Sequence, residues 1–412
     1  TAVGQSSLRR NTTGDYNTAV GQGALAYNTT ASNNTAFGFG ALLSNTTGAN
    51  NIAIGKGALD ANTTNNRNVA IGNDALGANN GASDNTAIGY EALLVSTTGA
   101  SNVAVGKDAL HSNTTAANNV AVGADSLQAN TTGAQNTAVG QQALANCTTA
   151  SGMTAVGRNA LGSITTATNC VAVGENAGDA KSTGDSLVAV GRNCLTGATG
   201  DNNTAVGTNA GMSIVGGSNN VSIGHYSQML HSVANNTMVG HMSGYDTSGD
   251  NNTGLGQATL NGCSGSNNTC VGYSAATSAG DSSNQFTLGN ASVTTLRCAD
   301  TSISSLSDRR DKTDIVDLPL GLDFINSVRP VKFKWQTRDK TESKDGTIRA
   351  GFIAQELQEA QKDCDYLDLV HDDNPEKLEA KQSKLIPVLV KAIQELSAEN
   401  TALKARLDAA GL

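Results

Sequence analysis

Residues 34–42 read Asn-Thr-Ala-Phe-Gly-Phe-Gly-Ala-Leu and contain the element that decides the fold. An apolar residue precedes the first Gly, and an Ala-Leu pair follows it at the third and fourth positions. The Gly occurs eighteen times, in steps of 16 or 17 residues, at positions 4, 21, 38, 55, 72, 89, 106, 123, 140, 157, 174, 191, 207, 224, 240, 256, 272 and 289. So regular a spacing predicts stacked turns of one small unit.

Each turn is too short to contain a helix, and its brief apolar stretches favour β-segments. In the stacked turns, Val105, Val122 and their equivalents form one column, and Leu110, Leu127 and theirs form another. We expect these Val and Leu columns to form a thin continuous core. The repeated Gly fits a position with positive φ or close backbone packing. Asn-Thr-Thr-Gly stretches supply turns. The sequence predicts an all-β stalk, a parallel β-roll or β-solenoid of about 18 turns and roughly 85 Å.

The core of one such stalk is small. Each turn offers about one Val and one Leu, and aromatic residues make up 3% of the chain. Because so thin a core stabilises a single solenoid only marginally, we expect several copies to associate along the stalk.

The elements Asn-Asn-Val-Ala-Val-Gly (118–123) and Asn-Thr-Ala-Val-Gly (136–140) resemble the head repeats of trimeric autotransporter adhesins of the YadA type. This resemblance covers residues 1–289 and implies a left-handed parallel β-roll with three chains side by side. The family's commonest repeat is shorter, and its C-terminal membrane anchor differs from the C-terminal part of this chain.

Composition changes sharply near residue 300. Residues 1–300 hold 9 Lys+Arg and 15 Asp+Glu, whereas residues 301–412 hold 17 and 20, together with all four Pro and the only Trp. We therefore predict a repeat stalk at 1–289, a connector at 290–306 and a separate domain at 307–412. The chain has no basic stripe and no long apolar run, so we expect neither nucleic-acid binding nor membrane insertion. Because the chain starts inside a repeat, we expect it to be a fragment or a processed product.

The C-terminal part carries three motifs in order. They are Ser-Asp-Arg-Arg-Asp-Lys at 307–312, Arg-Pro-Val-Lys-Phe-Lys-Trp at 329–335 and Gly-Phe-Ile-Ala-Gln-Glu at 351–356. This combination, over residues 301–412, resembles the peptidase S74 family, the intramolecular chaperone domain of phage tail spikes and fibres. The resemblance implies a domain that assembles a trimer and then cleaves the chain before the motif serine.

Carried over to this chain, the resemblance makes Leu306–Ser307 the scissile bond, Ser307 the nucleophile and Lys312 its general base. A serine hydroxyl needs a neighbouring base to become a good nucleophile. A lysine serves as that base when burial lowers its pKa, which trimer assembly would provide. The implied activity is a single-turnover self-cleaving serine endopeptidase without a cofactor. The alternative is a charged, solvated turn.

Four further residues are candidates for supporting roles at this site. We expect Asp308 and Arg310 to hold the loop by ion pairing. Gln355 or Glu356, from the third motif, are expected to contribute to the site.

A heptad pattern marks the last helix, predicted as a coiled coil at 388–410. Its apolar seam, with spacings of 4, 3, 4, 3 and 4, comprises Leu389, Ile393, Leu396, Asn400, Leu403 and Leu407. A single Asn in such a seam fixes register and strand number. Pro387 suits the helix start. The alternative is an ordinary helix packed on its own domain.

Three aromatic residues, Phe39, Tyr90 and Tyr273, follow the repeat Gly directly, in a column of mostly polar residues. We expect this column to face solvent, and these rings are candidate contacts to a cell-surface receptor or glycan. His225 and His241 share the column and are expected to be exposed, so we predict no metal site.

The seven Cys residues are scattered and show no CxxC, which indicates neither a disulfide framework nor a zinc site. We expect them to be small buried hydrophobic residues. Asn-Xaa-Thr sequons recur in the repeats, and we interpret their asparagines as turn residues.

These patterns favour a structural and adhesive homotrimer, a phage-type tail fibre of the virion with a self-cleaving chaperone. The first alternative is a trimeric adhesin on an extracellular surface, built on the same stalk. A glycan-degrading tail spike is the third hypothesis. It needs paired carboxylates across a cleft, and acidic residues in the repeats are sparse.

Overall fold

The computed structural model describes residues 1–179, 184–293, 295–297, 307–336, 343–376 and 378–411, with the side chains of 343–345 left out. The chain divides into two units, Thr1–Thr294 and Thr295–Leu412. Much of the connector predicted at 290–306 lies outside the described residues, so its bounds stay a prediction.

The first unit is a parallel β-solenoid, as the repeat predicts. Each short strand pairs in parallel with the strand one turn before it and the strand one turn after it. The strands are β1 (Ala2–Val3), β2 (Thr18–Val20), β3 (Thr35–Phe37), β4 (Ile52–Ile54), β5 (Val69–Ile71), β6 (Thr86–Ile88), β7 (Val103–Val105), β8 (Val120–Val122), β9 (Thr137–Val139), β10 (Thr154–Val156), β11 (Val171–Val173), β12 (Val188–Val190), β13 (Thr204–Val206), β14 (Val221–Ile223), β15 (Thr237–Val239), β16 (Thr253–Leu255), β17 (Thr269–Val271) and β18 (Phe286–Leu288). The register places equivalent residues together, so that Ala138 pairs with Ala155.

The solenoid core consists mainly of alanine and leucine. In most turns the central Ala of the strand and the Ala-Leu pair that follows it are fully buried, as at Ala138, Ala143 and Leu144. The Leu column is therefore confirmed. The prediction that the Val column lies in the core is wrong, because the last residue of each strand points outward: Val139 is 37% exposed and Phe37 is 56% exposed. Successive side chains of a strand face opposite sides, and the narrow interior takes the small Ala.

The repeated Gly meets both expectations for it. Gly140 has φ +137°, a conformation that L side chains rarely adopt. A Cβ atom placed on it would lie 2.4 Å from the carbonyl oxygen of Gly157, one turn away. The turns stack this closely because no side chain stands at this position.

Two columns of buried asparagines bind the turns together. In the first column, which precedes the strands, Asn17 Oδ1 accepts from the backbone N–H of Asn34 at 2.9 Å, and Asn34 Nδ2 donates to Gly48 O at 2.8 Å. In the second column, Asn45 Nδ2 donates to Asn28 Oδ1 at 2.9 Å and also to Gly48 O. An amide suits such a ladder because it carries both donor and acceptor. Three asparagines that begin Asn-Thr-Thr sequons are fully buried, in agreement with their interpretation as turn residues: Asn28, Asn45 and Asn113. Asn202 and Asn235, which begin Asn-Asn-Thr sequons, are exposed.

The second column is broken at Ser96 and ends at Cys147, because the next equivalent position is Ile164. Ser96 is too short to reach its neighbours, and both its hydroxyl and Asn79 Oδ1 are buried without a hydrogen-bond partner. Cys147 stands where the next asparagine would donate, and Asn130 Oδ1 is likewise unpaired. Each interruption thus leaves an unsatisfied polar atom in the solenoid.

The cysteines of the solenoid are buried and free, as predicted for Cys147, Cys170, Cys194, Cys263 and Cys270. Burial raises the pKa of Cys147 to about 11 and that of Cys194 to about 12. Cys364, in the second unit, is partly exposed, and Cys298 lies outside the described residues.

The second unit is a small α+β region ending in a long helix. Its elements are a 3-10 helix (Arg309–Asp311), α1 (Leu322–Ser327), β19 (Val331–Gln336), β20 (Ser343–Gly351), α2 (Ala354–Ala360), a 3-10 helix (Asp365–Leu367), β21 (Val370–His371), β22 (Glu379–Ala380), a 3-10 helix (Gln382–Leu385) and α3 (Ile386–Ala409). Strands β19 and β20 pair antiparallel, as do β21 and β22. Its core comprises Phe324, Leu357, Leu367, Leu369, Val370, Leu385 and Val388. No helix among the described residues is long and apolar enough to cross a membrane.

Gly140→Ala should destabilise the solenoid by about 3 kcal/mol, because the new Cβ meets backbone and the φ is unfavourable. Gly40→Ala is the matched control. Gly40 also has positive φ (+65°), but a Cβ there has no atom within 4 Å, so we expect a loss of about 1 kcal/mol. Urea unfolding followed by circular dichroism compares the two variants. Equal losses would show that contact between the turns does not set the requirement for Gly.

Ser96→Asn should stabilise the solenoid by about 1 kcal/mol, because the new amide donates to Asn79 Oδ1 and restores the ladder. Ser96→Ala is the control, since it removes the unpaired hydroxyl without supplying an amide. The same urea titration measures both. A midpoint for Ser96→Asn at or below that of Ser96→Ala would contradict the ladder.

Candidate functional site

The predicted nucleophile and base meet across a short turn. Ser307 comes immediately before Asp308, the N-cap of the 3-10 helix Arg309–Asp311, and Lys312 is the C-cap. This turn brings Lys312 Nζ within 2.6 Å of Ser307 Oγ. In this arrangement the ammonium donates to the hydroxyl, and a neutral lysine in the same place would accept the hydroxyl proton.

Asp308 and Arg310 fasten the turn. Asp308 Oδ1 accepts from the backbone N–H of Arg310 at 2.9 Å, and Oδ2 accepts from its guanidinium Nη2 at 2.6 Å. The hydrogen bonds from Arg310 lower the pKa of Asp308, and the same pairing raises the pKa of Arg310. Their positions fit the loop-holding role expected of them.

All four of these residues are exposed in the single chain. No residue of the 3-10 helix Arg309–Asp311 is buried either. Leu306, on the other side of the proposed scissile bond, lies outside the described residues. The turn therefore presents its Ser and Lys to solvent.

The third motif has its own polar partner. Glu356, in the first turn of α2, forms an ion pair with Arg329, whose Nε lies 3.1 Å from its Oε2. This pairing lowers the pKa of Glu356. Gln355 is exposed. Among the described residues, no hydrogen bond or ion pair joins Gln355 or Glu356 to Ser307 or Lys312.

Helix α3 has two apolar faces. Val388 and Ala392 are buried against the core of their own unit. Glu395 adds a polar link, because its Oε2 accepts from the backbone N–H of Leu322 at 2.7 Å and so caps α1. Sequence reasoning missed this contact, which joins residues 73 positions apart.

The heptad seam occupies the other face of α3. Its apolar members are 42–66% exposed, and Asn400 is exposed as well, with Nδ2 donating to Leu396 O at 3.0 Å. The structure thus separates the face that packs on the domain from the face that the heptad pattern assigns to a partner.

The solenoid exposes an apolar stripe of its own. The last residues of the strands, which we call the outer valine column, recur once per turn. Exposed members are Val3, Phe37, Ile54, Ile88, Val122, Val139, Val156, Val173, Val206, Ile223, Leu255 and Leu288. An apolar stripe of this kind is a candidate surface for association.

The predicted surface aromatics are exposed, at Phe39, Tyr90 and Tyr273. His225 and His241 are also exposed, and their rings stack with centroids 5.5 Å apart.

One group of three possible metal ligands occurs among the described residues. Ligand atoms of Glu91, Asp108 and His111 lie within 4.8 Å of one another. The sequence analysis predicted no metal site and missed this group. The available signal was a run of acidic residues at one repeat position in successive turns.

Comparison with known proteins gives one family match, and it lies in the second unit. Residues 307–366 match the family model Peptidase_S74, described as chaperone of endosialidase. The match starts at Ser307, the motif serine, and ends at Tyr366. No curated protein and no solved structure matches the chain. An S74 chaperone segment that follows a β-solenoid fits a tail-spike-like or fibre-like protein.

Proposed function

We propose that this chain forms a homotrimeric fibre, of the phage tail type, whose C-terminal domain gathers three chains and then cleaves the bond between Leu306 and Ser307. The observation that carries this proposal is the 2.6 Å contact between Lys312 Nζ and Ser307 Oγ at the start of the S74 segment.

The chemistry follows from these two side chains. Neutral Lys312 takes the proton of Ser307 Oγ as this oxygen attacks the carbonyl carbon of Leu306. The tetrahedral intermediate collapses, the C–N bond breaks, and the lysine ammonium returns the proton to the leaving amine. Water then hydrolyses the ester between Leu306 and Ser307, which releases a carboxylate and restores the hydroxyl.

In this proposal, assembly of the chains determines when cleavage occurs. A lysine acts as a base near neutral pH when burial disfavours its charged form. In the single chain both side chains are exposed, so the pair waits for burial by neighbouring chains. Cleavage then follows only a completed assembly.

Two surfaces support association of identical chains. The exposed seam of α3 has the heptad form that joins helices, with Asn400 setting their register. The outer valine column offers an apolar stripe along the solenoid, as at Val122, Val139 and Val156. Three copies that share both surfaces give the fibre, and residues 307–412 serve as its temporary assembly domain.

The mature fibre belongs on a virion or another extracellular surface, where it contacts a receptor or glycan. Phe39, Tyr90 and Tyr273 support this role, because exposed aromatic rings stack well on apolar faces of ligands. No catalytic cleft is part of this proposal.

Ser307→Ala should leave the chain at full length while trimers still form, because only the attacking oxygen is lost. Arg309→Ala is the control, as an exposed residue of the same turn, and it should still yield fragments 1–306 and 307–412. Mass spectrometry of the intact products measures the masses of the full-length chain and of the two fragments. Cleavage before residue 307 in Ser307→Ala would refute the assigned nucleophile.

Leu396→Glu should prevent trimer formation, because three carboxylates would meet in the apolar seam. Ala398→Glu places the same charge two residues away, outside the seam, and should leave the trimer intact. Light scattering gives the molar mass of each variant. A molar mass of three chains for Leu396→Glu would contradict the role of the seam in assembly. A monomeric wild-type chain would contradict the proposed trimer.

A further inference from the structure

One column of the solenoid holds four carboxylates in successive turns. The second residue after the repeat Gly is Asp74, Glu91, Asp108 and Asp125, which we call the acidic column. Their backbones stack one turn above another, about 4.8 Å apart as in any parallel sheet. The N–H of Asp108, for instance, donates to the carbonyl of Tyr90 in the preceding turn at 3.0 Å.

Further along the chain, asparagines occupy the same column and hydrogen-bond to one another. Asn159 Nδ2 donates to Asn176 Oδ1 at 3.2 Å, and Asn176 Nδ2 donates to Asn193 Oδ1 at 3.1 Å. An ionised carboxylate is an acceptor only. Stacked carboxylates therefore repel one another and cannot form this ladder, so the acidic column favours a cation beside it.

Asp108 is the most buried carboxylate of the acidic column. It is 9% exposed, and its Oδ1 is buried without a hydrogen-bond partner. Its Oδ2 lies 3.0 Å from the ammonium of Lys107, a side chain that is mostly exposed. A carboxylate withdrawn from water is costly unless its lone pairs are used, and the lysine uses those of one oxygen only.

His111 completes a ligand set beside Asp108. It belongs to the same turn, and its Nε2 lies 3.4 Å from Glu91 Oε2 in the turn before. Ligands bound to zinc at about 2.0–2.1 Å in a tetrahedron lie roughly 3.4 Å from each other. One oxygen of Asp108 falls within 4.8 Å of both partner atoms, so the three side chains stand close enough to share one ion.

We propose that Glu91, Asp108 and His111 form a binding site for a divalent first-row transition metal, with zinc as the best fit. An imidazole with two carboxylates favours zinc over calcium or magnesium, which prefer oxygen ligands alone. The two carboxylates balance the charge of the ion. Because Glu91 and His111 are only partly buried, water has access to a fourth position.

Two residues adjoin the ligands in the chain. Tyr90 precedes Glu91 in the chain and is exposed. Lys107 competes with the metal for Asp108, because its ammonium lies 3.0 Å from Asp108 Oδ2. Removing this ammonium should therefore favour the metal.

Zinc titration of the full chain, stripped with a chelator, tests the proposal by isothermal calorimetry. We expect one zinc per chain at this site, an affinity at least tenfold lower in Glu91→Gln and in His111→Ala, and an affinity equal or higher in Lys107→Ala. Asp125→Asn is the control, since it lies in the acidic column outside the ligand set, and it should change the affinity less than twofold.

Cobalt separates this site from others on the chain. Cobalt bound at this site should give visible d–d bands that vanish in His111→Ala, without the charge-transfer absorption that a thiolate ligand such as Cys364 would add. Wild-type affinity retained in both His111→Ala and Glu91→Gln would overturn the proposal. A wild-type chain that binds no zinc would overturn it too, leaving only an ion pair between His111 and Glu91.

Discussion

The solenoid depends on one constraint, the stacking of each residue on its own equivalent one turn away. Parallel in-register pairing, as between Ala138 and Ala155, makes every side chain the neighbour of a near-copy of itself. A residue type therefore persists in a column only if it packs well against itself. Alanine and leucine do so by shape, asparagine does so by donating and accepting at once, and glycine does so by having no side chain in the way.

The same constraint explains where the solenoid is imperfect. A single break in a column affects the preceding turn, which is why Ser96 leaves Asn79 Oδ1 unpaired and Cys147 leaves Asn130 Oδ1 unpaired. A column of carboxylates is the opposite case, since nothing is missing and yet its members cannot satisfy one another. In the proposed metal site, the preference for a cation at Asp108 comes from this repetition and from its burial.

Much of this architecture can be predicted from the sequence, but the inward face of the strands could not. The spacing of 16 or 17 residues is enough to predict the turns, the short strands and the glycine conformation. It does not tell which side of a three-residue strand faces inward, because either the central Ala or its two neighbours fits alternation. Assigning the larger Val to the core was wrong, since Leu144 already fills the interior from the following turn and leaves room only for Ala138.

The proposed cleavage pair, Ser307 and Lys312, was recognisable in the sequence, but the reason these side chains meet was not. Their contact depends on a 3-10 turn capped by Asp308, a local geometry that residue types alone do not specify. The cap of α1 by Glu395 was out of reach for a different reason, because it joins segments far apart in the chain. A contact within the solenoid repeats in many turns, so its residue pattern recurs in the sequence. The Ser307–Lys312 contact and the Glu395–Leu322 contact each occur once and leave no such pattern.

Helix α3 shows how one element can serve both folding and assembly. Its first half must remain bound to its own unit, because Val388 and Ala392 are buried there and Glu395 holds α1. Its seam is exposed from Leu389 to Leu407, so association costs the domain none of its own packing. In the proposed fibre, each domain therefore folds first and the three seams join afterwards. Burial of the exposed Ser307–Lys312 pair then depends on joining, which makes cleavage a consequence of assembly rather than of folding.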